Sequence, residues 1–280
     1  MLSYRHSFHA GNFADVLKHT VATSIINYML KKEKAFCYID THAGCGAYSL
    51  QSSAALKTKE FNNGIVPLWG RTDLPVPVAR YMQQVVEFNA HSQLQHYPGS
   101  PSIAEQMLRD IDRLSLFELH PNEFINMSEN FSGNRKIKMS KSDGLKGLIA
   151  SVPPIERRGF ILIDPAYEIK TEYQEVVDTL VQAVKRFATG TYALWYPVVN
   201  RIIINKMERQ LIASGIKNIQ LFELGIREDS NEIGMTSSGM IVINPPWTLK
   251  KEMRESLPFL ARQLGENDQG FYRIETLVAE

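Results

Sequence analysis

The run Phe160-Ile161-Leu162-Ile163, bracketed by Gly159 and Pro165, is the strongest single constraint on what this chain can fold into. Four apolar residues with that punctuation suit a buried parallel strand, and open α/β sheets bind ligands beyond the carboxyl ends of such strands. Asp164 is thereby expected at the rim of a pocket. Its neighbours narrow the chemistry: a carboxylate acceptor, a stiff turn exposing the Pro165 carbonyl and a flat ring at Tyr167 suit a planar ring that carries an amine, as a nucleobase does. Taken alone, Asp-Pro after a strand reads more simply as a helix cap followed by a packed tyrosine. The rest of the chain shifts that balance.

With 280 residues, 44% of them hydrophobic, the chain can bury a large core as one domain carrying an insertion. The 31 basic and 30 acidic residues leave a formal charge of +1, so a polyanion would have to find a local basic patch. Only Cys37 and Cys45 occur, which gives neither a disulfide framework nor a cysteine zinc cluster and fits a reducing cytoplasm. The polar start does not resemble a signal peptide, and no apolar stretch approaches the roughly 20 residues needed to span a bilayer, so no membrane partner is expected.

In chain order, Tyr4-Arg5-His6-Ser7-Phe8-His9-Ala10-Gly11-Asn12 reads as a functional arm. A helix should follow, capped by Asn12 with Asp15 three positions on. Lys18 and His19 lie within it, where a solvated lysine and a satisfied histidine are the plain expectation. The strand ending at Asp40 runs into Thr41-His42-Ala43-Gly44-Cys45-Gly46, a small-residue turn that is only G-x-G and is a weak signal alone. Residues 49–97 read as an inserted, mostly helical subdomain. The main fold, covering 1–48 and 98–280, resumes at Pro98-Gly99-Ser100-Pro101, with Ser100 placed to cap a helix. Later strands end at Glu118, an acid placed to meet ribose hydroxyls, and at Ser142-Asp143-Gly144. Asp40, Glu118, Asp143 and Asp164 thus stand at four successive strand ends and describe one pocket rim. Alternation continues through Tyr192-Ala193-Leu194-Trp195-Tyr196 to Met240-Ile241-Val242-Ile243 and Asn244-Pro245-Pro246-Trp247, which could pass for a second amine-binding turn. Its place last in the series favours a strand exit packed by tryptophan. Residues 270–274 can add an edge strand.

These elements, in this order, resemble a class I methyltransferase, with a Rossmann-like α/β sheet that is mostly parallel with an antiparallel last strand. Enzymes of that class acting on exocyclic amines carry the signature [D/N/S]-P-P-[Y/F/W]. The arm at 4–12, Ala14-Asp15-Val16-Leu17-Lys18-His19, Asp40-Thr41-His42-Ala43-Gly44, Tyr97-Pro98-Gly99-Ser100-Pro101 and Gly190-Thr191-Tyr192-Ala193-Leu194-Trp195-Tyr196-Pro197 look like the bacterial 23S rRNA adenine-N6 methyltransferases that act in domain V. The resemblance implies S-adenosyl-L-methionine as cofactor, held by His19, His42, Ser100, Glu118, Asp143, Gly144 and Asp164 with Lys18 beside them. It implies catalysis by Asp164, Pro165 and Tyr167, and puts Tyr4 with Tyr167 on the substrate side. The implied partner is 23S rRNA, free or in early assembly, met by a monomer. One departure stands out: Ala166 replaces the second proline of the signature, which frees the turn and adds an N–H.

The mechanism these residues permit is orientation. Asp164 and the Pro165 carbonyl would accept from the amine hydrogens and aim the lone pair of N6; a carboxylate is too weak a base to deprotonate a neutral arylamine, so it acts first as an acceptor. A base flipped from its stack, at a few kcal/mol, would recover roughly 1–3 kcal/mol by stacking on Tyr167. Phosphate contacts are open to Arg5, Lys18, Lys57, Lys59, Arg157 and Arg158, each of which reads as readily as an ordinary solvated cation. Competing readings are a DNA adenine-N6 or protein-glutamine methyltransferase, an NAD-dependent dehydrogenase disfavoured by the missing third glycine, and an RNA-binding relative weakened by Ala166. A zinc site at His6, His9 and His19 lacks supporting ligands, and no metal is expected.

Overall fold

The computed structural model describes residues 5–230 and 234–280. Its centre is an eight-stranded sheet. Strands β1 (Cys37–Asp40), β4 (Arg113–Phe117), β5 (Ile137–Ser140), β6 (Gly159–Ile163) and β7 (Thr191–Val198) are parallel, and β8 (Ile219–Gly225), β9 (Ser237–Ile243) and β10 (Phe271–Val278) complete the order β10-β8-β9-β7-β6-β1-β4-β5. β9 lies antiparallel between β7 and β8, and β10 adds an antiparallel edge. This is the class I methyltransferase arrangement with one extra strand. Strand order reverses at β1, whose neighbours are β4 and β6, and that reversal opens a crevice at the carboxyl edge.

The apolar run of β6 is explained by burial on both faces. Phe160 and Leu162 point into one core with Tyr38, Val16 and Val21, while Ile161 and Ile163 point into the other with Leu148, Val176 and Leu180. The first core is closed by α1 (Phe13–Leu30), α3 (Val76–Phe88), α4 (Ser100–Met107) and α9 (Leu249–Leu264); the second by α6 (Gly144–Ser151), α7 (Glu172–Arg186) and α8 (Arg201–Ala213). Helix α5 (Pro121–Asn130) follows β4. α1 has no solvent face along most of its length, because every residue from Phe13 to Ile26 is buried.

Residues 49–97 hold α2 (Ser53–Thr58), two 3-10 turns and α3. Their ends lie in β2 (Ala47–Ser49) and β3 (His96–Pro98), which pair antiparallel with Tyr48 opposite Tyr97. These strands of three residues each carry too little pattern to be read from the sequence. Asn12 does cap α1, accepting from Asp15 N at 3.0 Å. Ser100 does not cap α4: Gly99 holds that position and Ser100 is the first helical residue.

Candidate active site

Asp164 follows directly on β6 at the carboxyl edge, and it caps no helix, since α7 begins at Glu172 behind Thr171. Its Oδ2 accepts a 2.6 Å hydrogen bond from Lys18 Nζ, which also lies 2.8 Å from Asp15 Oδ1. Lys18 is 4% exposed. The expectation of a solvated lysine fails because α1 is buried all round, and so does its candidacy for phosphate. Burial favours the neutral amine, but the two carboxylates outweigh it and raise the Lys18 pKa, so the cation is permanent. Burial also acts to raise Asp15, yet His6 and Lys18 hold it well below the carboxylate range. Asp15 Oδ2 further accepts from Gly11 N at 2.8 Å and lies 2.9 Å from His6 Nε2, which ties the arm to α1.

Two cavities meet here. Lys18, His19, His42, Ser100, Glu118, Asp143, Gly144 and Asp164 all line the first, with Thr41, Gly44 and Pro165. Glu118 accepts from Gly44 N at 2.9 Å and His120 N at 2.6 Å; burial raises its pKa against the pull of those donors. At Gly144 a Cβ would lie 1.7 Å from the Thr41 carbonyl oxygen, so α6 can start this close to the end of β1 only with glycine. Asp143 caps that helix, accepting from Leu145 N and Lys146 N at 3.0 and 3.2 Å. The helix-cap reading weighed for Asp164 therefore belongs to Asp143.

His19 Nδ1 lies 2.7 Å from Tyr97 Oη, which lies 2.9 Å from Tyr81 Oη. Its Nε2 is buried and has no hydrogen-bond partner among the described residues, and the residue lines the first cavity. Burial lowers the His19 pKa to about 3 and that of His42 to about 4, so both rings are neutral at pH 7. Asp40 corrects the four-acid rim. It is fully buried beneath the cavity, where Tyr38 Oη and Ser100 Oγ donate to Oδ2 at 2.8 and 2.6 Å and His42 N donates to Oδ1 at 3.2 Å. Burial pushes its pKa up to about 6.

The second cavity shares Lys18, Asp164 and Ala166 with the first and continues to Tyr167, Tyr173, Trp195 and Arg227. Tyr167 has φ +53°, a left-handed conformation that costs a tyrosine of order 1–3 kcal/mol and marks functional turns. Its hydroxyl donates to the Trp195 carbonyl at 2.8 Å, and its ring centroid lies 4.3 Å from that of Tyr173 and 6.0 Å from that of Trp195. Trp195 and Tyr173 were not singled out from the sequence. The register that sets Ile163 beside Leu194 brings Trp195 next to Asp164, a signal that needs strand pairing to be known. The Ala166 N–H has no acceptor among the described residues. Tyr4 lies outside the described residues.

Asn244 sits elsewhere. Because β9 is antiparallel, Ile243 pairs with Tyr192 near the start of β7, and Asn244-Pro245-Pro246-Trp247 leaves the sheet at the opposite edge from Asp164. Asn244 Nδ2 donates to the Ala188 and Gly190 carbonyls, both at 2.8 Å. Trp247, expected to pack, is 79% exposed. His6, His9 and His19 diverge to Asp15, Glu60 and Tyr97, and the described residues contain no cluster suited to a metal. Arg158 donates to the Met29 and Lys34 carbonyls and so closes the end of α1.

Comparison with known proteins agrees with this architecture. The family model described as ribosomal RNA large subunit methyltransferase D, RlmJ, matches residues 33–278. Two curated proteins named ribosomal RNA large subunit methyltransferase J are similar over their whole length and the whole of this chain, that of Escherichia coli at 49% identity and that of Haemophilus influenzae at 47%. The crystal structure of a Legionella pneumophila protein is similar at 38% identity with a TM-score of 0.89, covering 96% of this chain and 98% of that one. A buried acid-bearing strand end, a cavity on either side of it and a family match across most of the chain lead to one conclusion: the chain belongs to the ribosomal RNA large subunit methyltransferase D, RlmJ, family of methyltransferases.

Proposed function

We propose that this chain transfers a methyl group from S-adenosyl-L-methionine to the exocyclic N6 of one adenine in 23S rRNA, with the base flipped out and held by Asp164, the Pro165 carbonyl and Tyr167. The observation that carries this reading is the position of Asp164 between two cavities. Lys18 occupies its Oδ2, and Oδ1 is left without a protein partner among the described residues. The names of the family and of its relatives support ribosomal RNA as the acceptor.

The first cavity fits the cofactor. His19 Nε2 is an orphaned buried nitrogen there, Glu118 supplies an acceptor for ribose hydroxyls, and Gly144 lets the start of α6 pack against Thr41 in the cavity wall. When bound, the sulfonium supplies an electrophilic methyl group. The protein's own work is placement. Asp164 Oδ1 accepts one amine hydrogen, Lys18 holds the carboxylate in place through its 2.6 Å contact with Oδ2, and Tyr167 with Trp195 and Tyr173 provides an aromatic wall for the base. As the methyl group passed from sulfur to N6, leaving a neutral thioether, positive charge would grow on N6; Asp164 would stabilise it and then accept the N6 proton, to be passed to solvent. Residues 49–97, as an inserted subdomain, would extend the RNA-binding surface, and the enzyme would act in the cytoplasm as a monomer on free or early-assembly RNA.

Mass spectrometry of 23S rRNA fragments from cells with and without this protein tests the proposal. One adenine should lose a single methyl when the protein is absent. An unchanged 23S rRNA pattern, with labelled methyl instead appearing on DNA or on protein glutamine, would overturn it.

A further inference from the structure

Three arginines surround the end of β8, and their pairing differs sharply. Arg201 donates to both oxygens of the buried Glu223 carboxylate at 2.8 and 2.9 Å and to Asp229 at 2.6 Å. Arg273 is shared among Glu208, Glu275 and Glu223. These two pin the edge strands together. Arg227, two residues beyond β8, makes one contact, Nη1 to Glu266 Oε2 at 3.4 Å, and its buried Nε has no partner among the described residues. A guanidinium has five N–H donors, so this one keeps donors to give while lining the second cavity.

The charges around it show what it can receive. Lys18, a buried cation of the same cavity, is committed to Asp15 and Asp164. Lys170, which also lines it, is exposed to solvent. Arg227 is thus the half-buried cation on this wall that retains donors. A nucleotide that presents its base to Asp164 must also bring a phosphodiester, and a planar guanidinium is suited to grip two phosphate oxygens at once.

We propose that Arg227 holds a backbone phosphate of the RNA strand whose base enters the second cavity. The inference rests on the proposed RNA-methylating function and adds a residue that neither the sequence motifs nor the cofactor cavity identified. Phosphate then replaces the 3.4 Å contact of Arg227 with Glu266.

The test compares wild type with Arg227→Ala and Arg227→Lys on transcribed 23S rRNA. Arg227→Ala should raise the KM for RNA about tenfold, with the smaller share of the loss in kcat, and leave calorimetric cofactor affinity unchanged. The slope of log affinity against log salt should fall by about 0.7–0.9, the value of one phosphate contact. Arg227→Lys should keep the salt slope and still lose several-fold in KM, because it retains the charge but not the fork. An unchanged KM and salt slope in Arg227→Ala, or an unchanged KM in Arg227→Lys should the alanine variant not fold, would overturn the assignment. Failure of the wild type to methylate RNA would instead overturn the functional reading, and this inference with it.

Discussion

The ends of β6 and β9 are written in nearly the same letters and do opposite things. Asn244-Pro245-Pro246-Trp247 fits the amine-methylating signature at every position, whereas Asp164-Pro165-Ala166-Tyr167 breaks it at the third. Yet β6 runs parallel to β1 and delivers Asp164 to the crevice, while β9 runs antiparallel and delivers Asn244 to the far edge. There the Asn244 amide is spent on two backbone carbonyls, and Trp247 faces solvent. The meaning of a strand-end motif therefore depends on the direction of its strand. A buried cation enforces the distinction: Lys18 reaches Asp164, and Asn244 has no such partner.

That difference can be broken most severely at Lys18. Lys18→Met leaves Asp15 buried without its Lys18 partner, and loss of one member of a buried ion pair costs about 3 kcal/mol. Urea unfolding should show that loss, and stability within about 0.5 kcal/mol of wild type would mean the ion pair is marginal. At the cofactor side of the β6 end, Glu118→Ala should weaken S-adenosyl-L-methionine binding by on the order of 1.5–3 kcal/mol with the fold intact. Undiminished binding by calorimetry would remove Glu118 from the site.

The pocket around the β6 end should also respond to acid. His19 and His42 titrate at about 3 and about 4, below the ordinary 6.5, so the stability they contribute is full above pH 6.5 and is lost as pH falls through their folded values. Asp40, raised from 3.8 to about 6, opposes them: its contribution is full below pH 3.8 and is lost as pH rises through 6. With two histidines against one aspartate, stability should fall between pH 6.5 and 4, and His19→Gln should flatten that fall. A parallel pH dependence in wild type and variant would show that His19 is not neutral in the fold. The smallest effect is expected at Ala166, which has no hydrogen bond to lose: Ala166→Pro restores the signature, and single-turnover rates should stay within about twofold of wild type or rise. A sharp loss would show that this turn needs its own geometry.

The sheet was legible because β6 and the latter part of β9 are apolar runs and every helix except α7 and α9 begins with a capping side chain or a proline. The pocket acids Glu118, Asp143 and Asp164 were legible for the same reason, since a polar residue after such a run marks a strand end. What escaped depended on tertiary distance. Lys18 looks solvated until Asp164, 146 residues away, is brought beside it. Asp40 looks like a rim acid until Tyr38 and Ser100 close over it. Trp195 reads as core, and only the β6–β7 register places it at the site. Trp247 looked like packing because aromatic residues usually are, and strand direction sent it into solvent.

One measurement tests the central claim, that methyl transfer happens at the end of β6, most directly: single-turnover methylation of 23S rRNA by Asp164→Ala and Asn244→Ala side by side. Asp164→Ala should abolish transfer while keeping most cofactor affinity, because its hydrogen bond is worth most in the transition state. Asn244→Ala should methylate at the wild-type rate and lose only about 1–2 kcal/mol of stability, from two hydrogen bonds and a left-handed backbone at φ +50°. Robust methylation by Asp164→Ala, or its loss in a folded Asn244→Ala protein, would contradict the account.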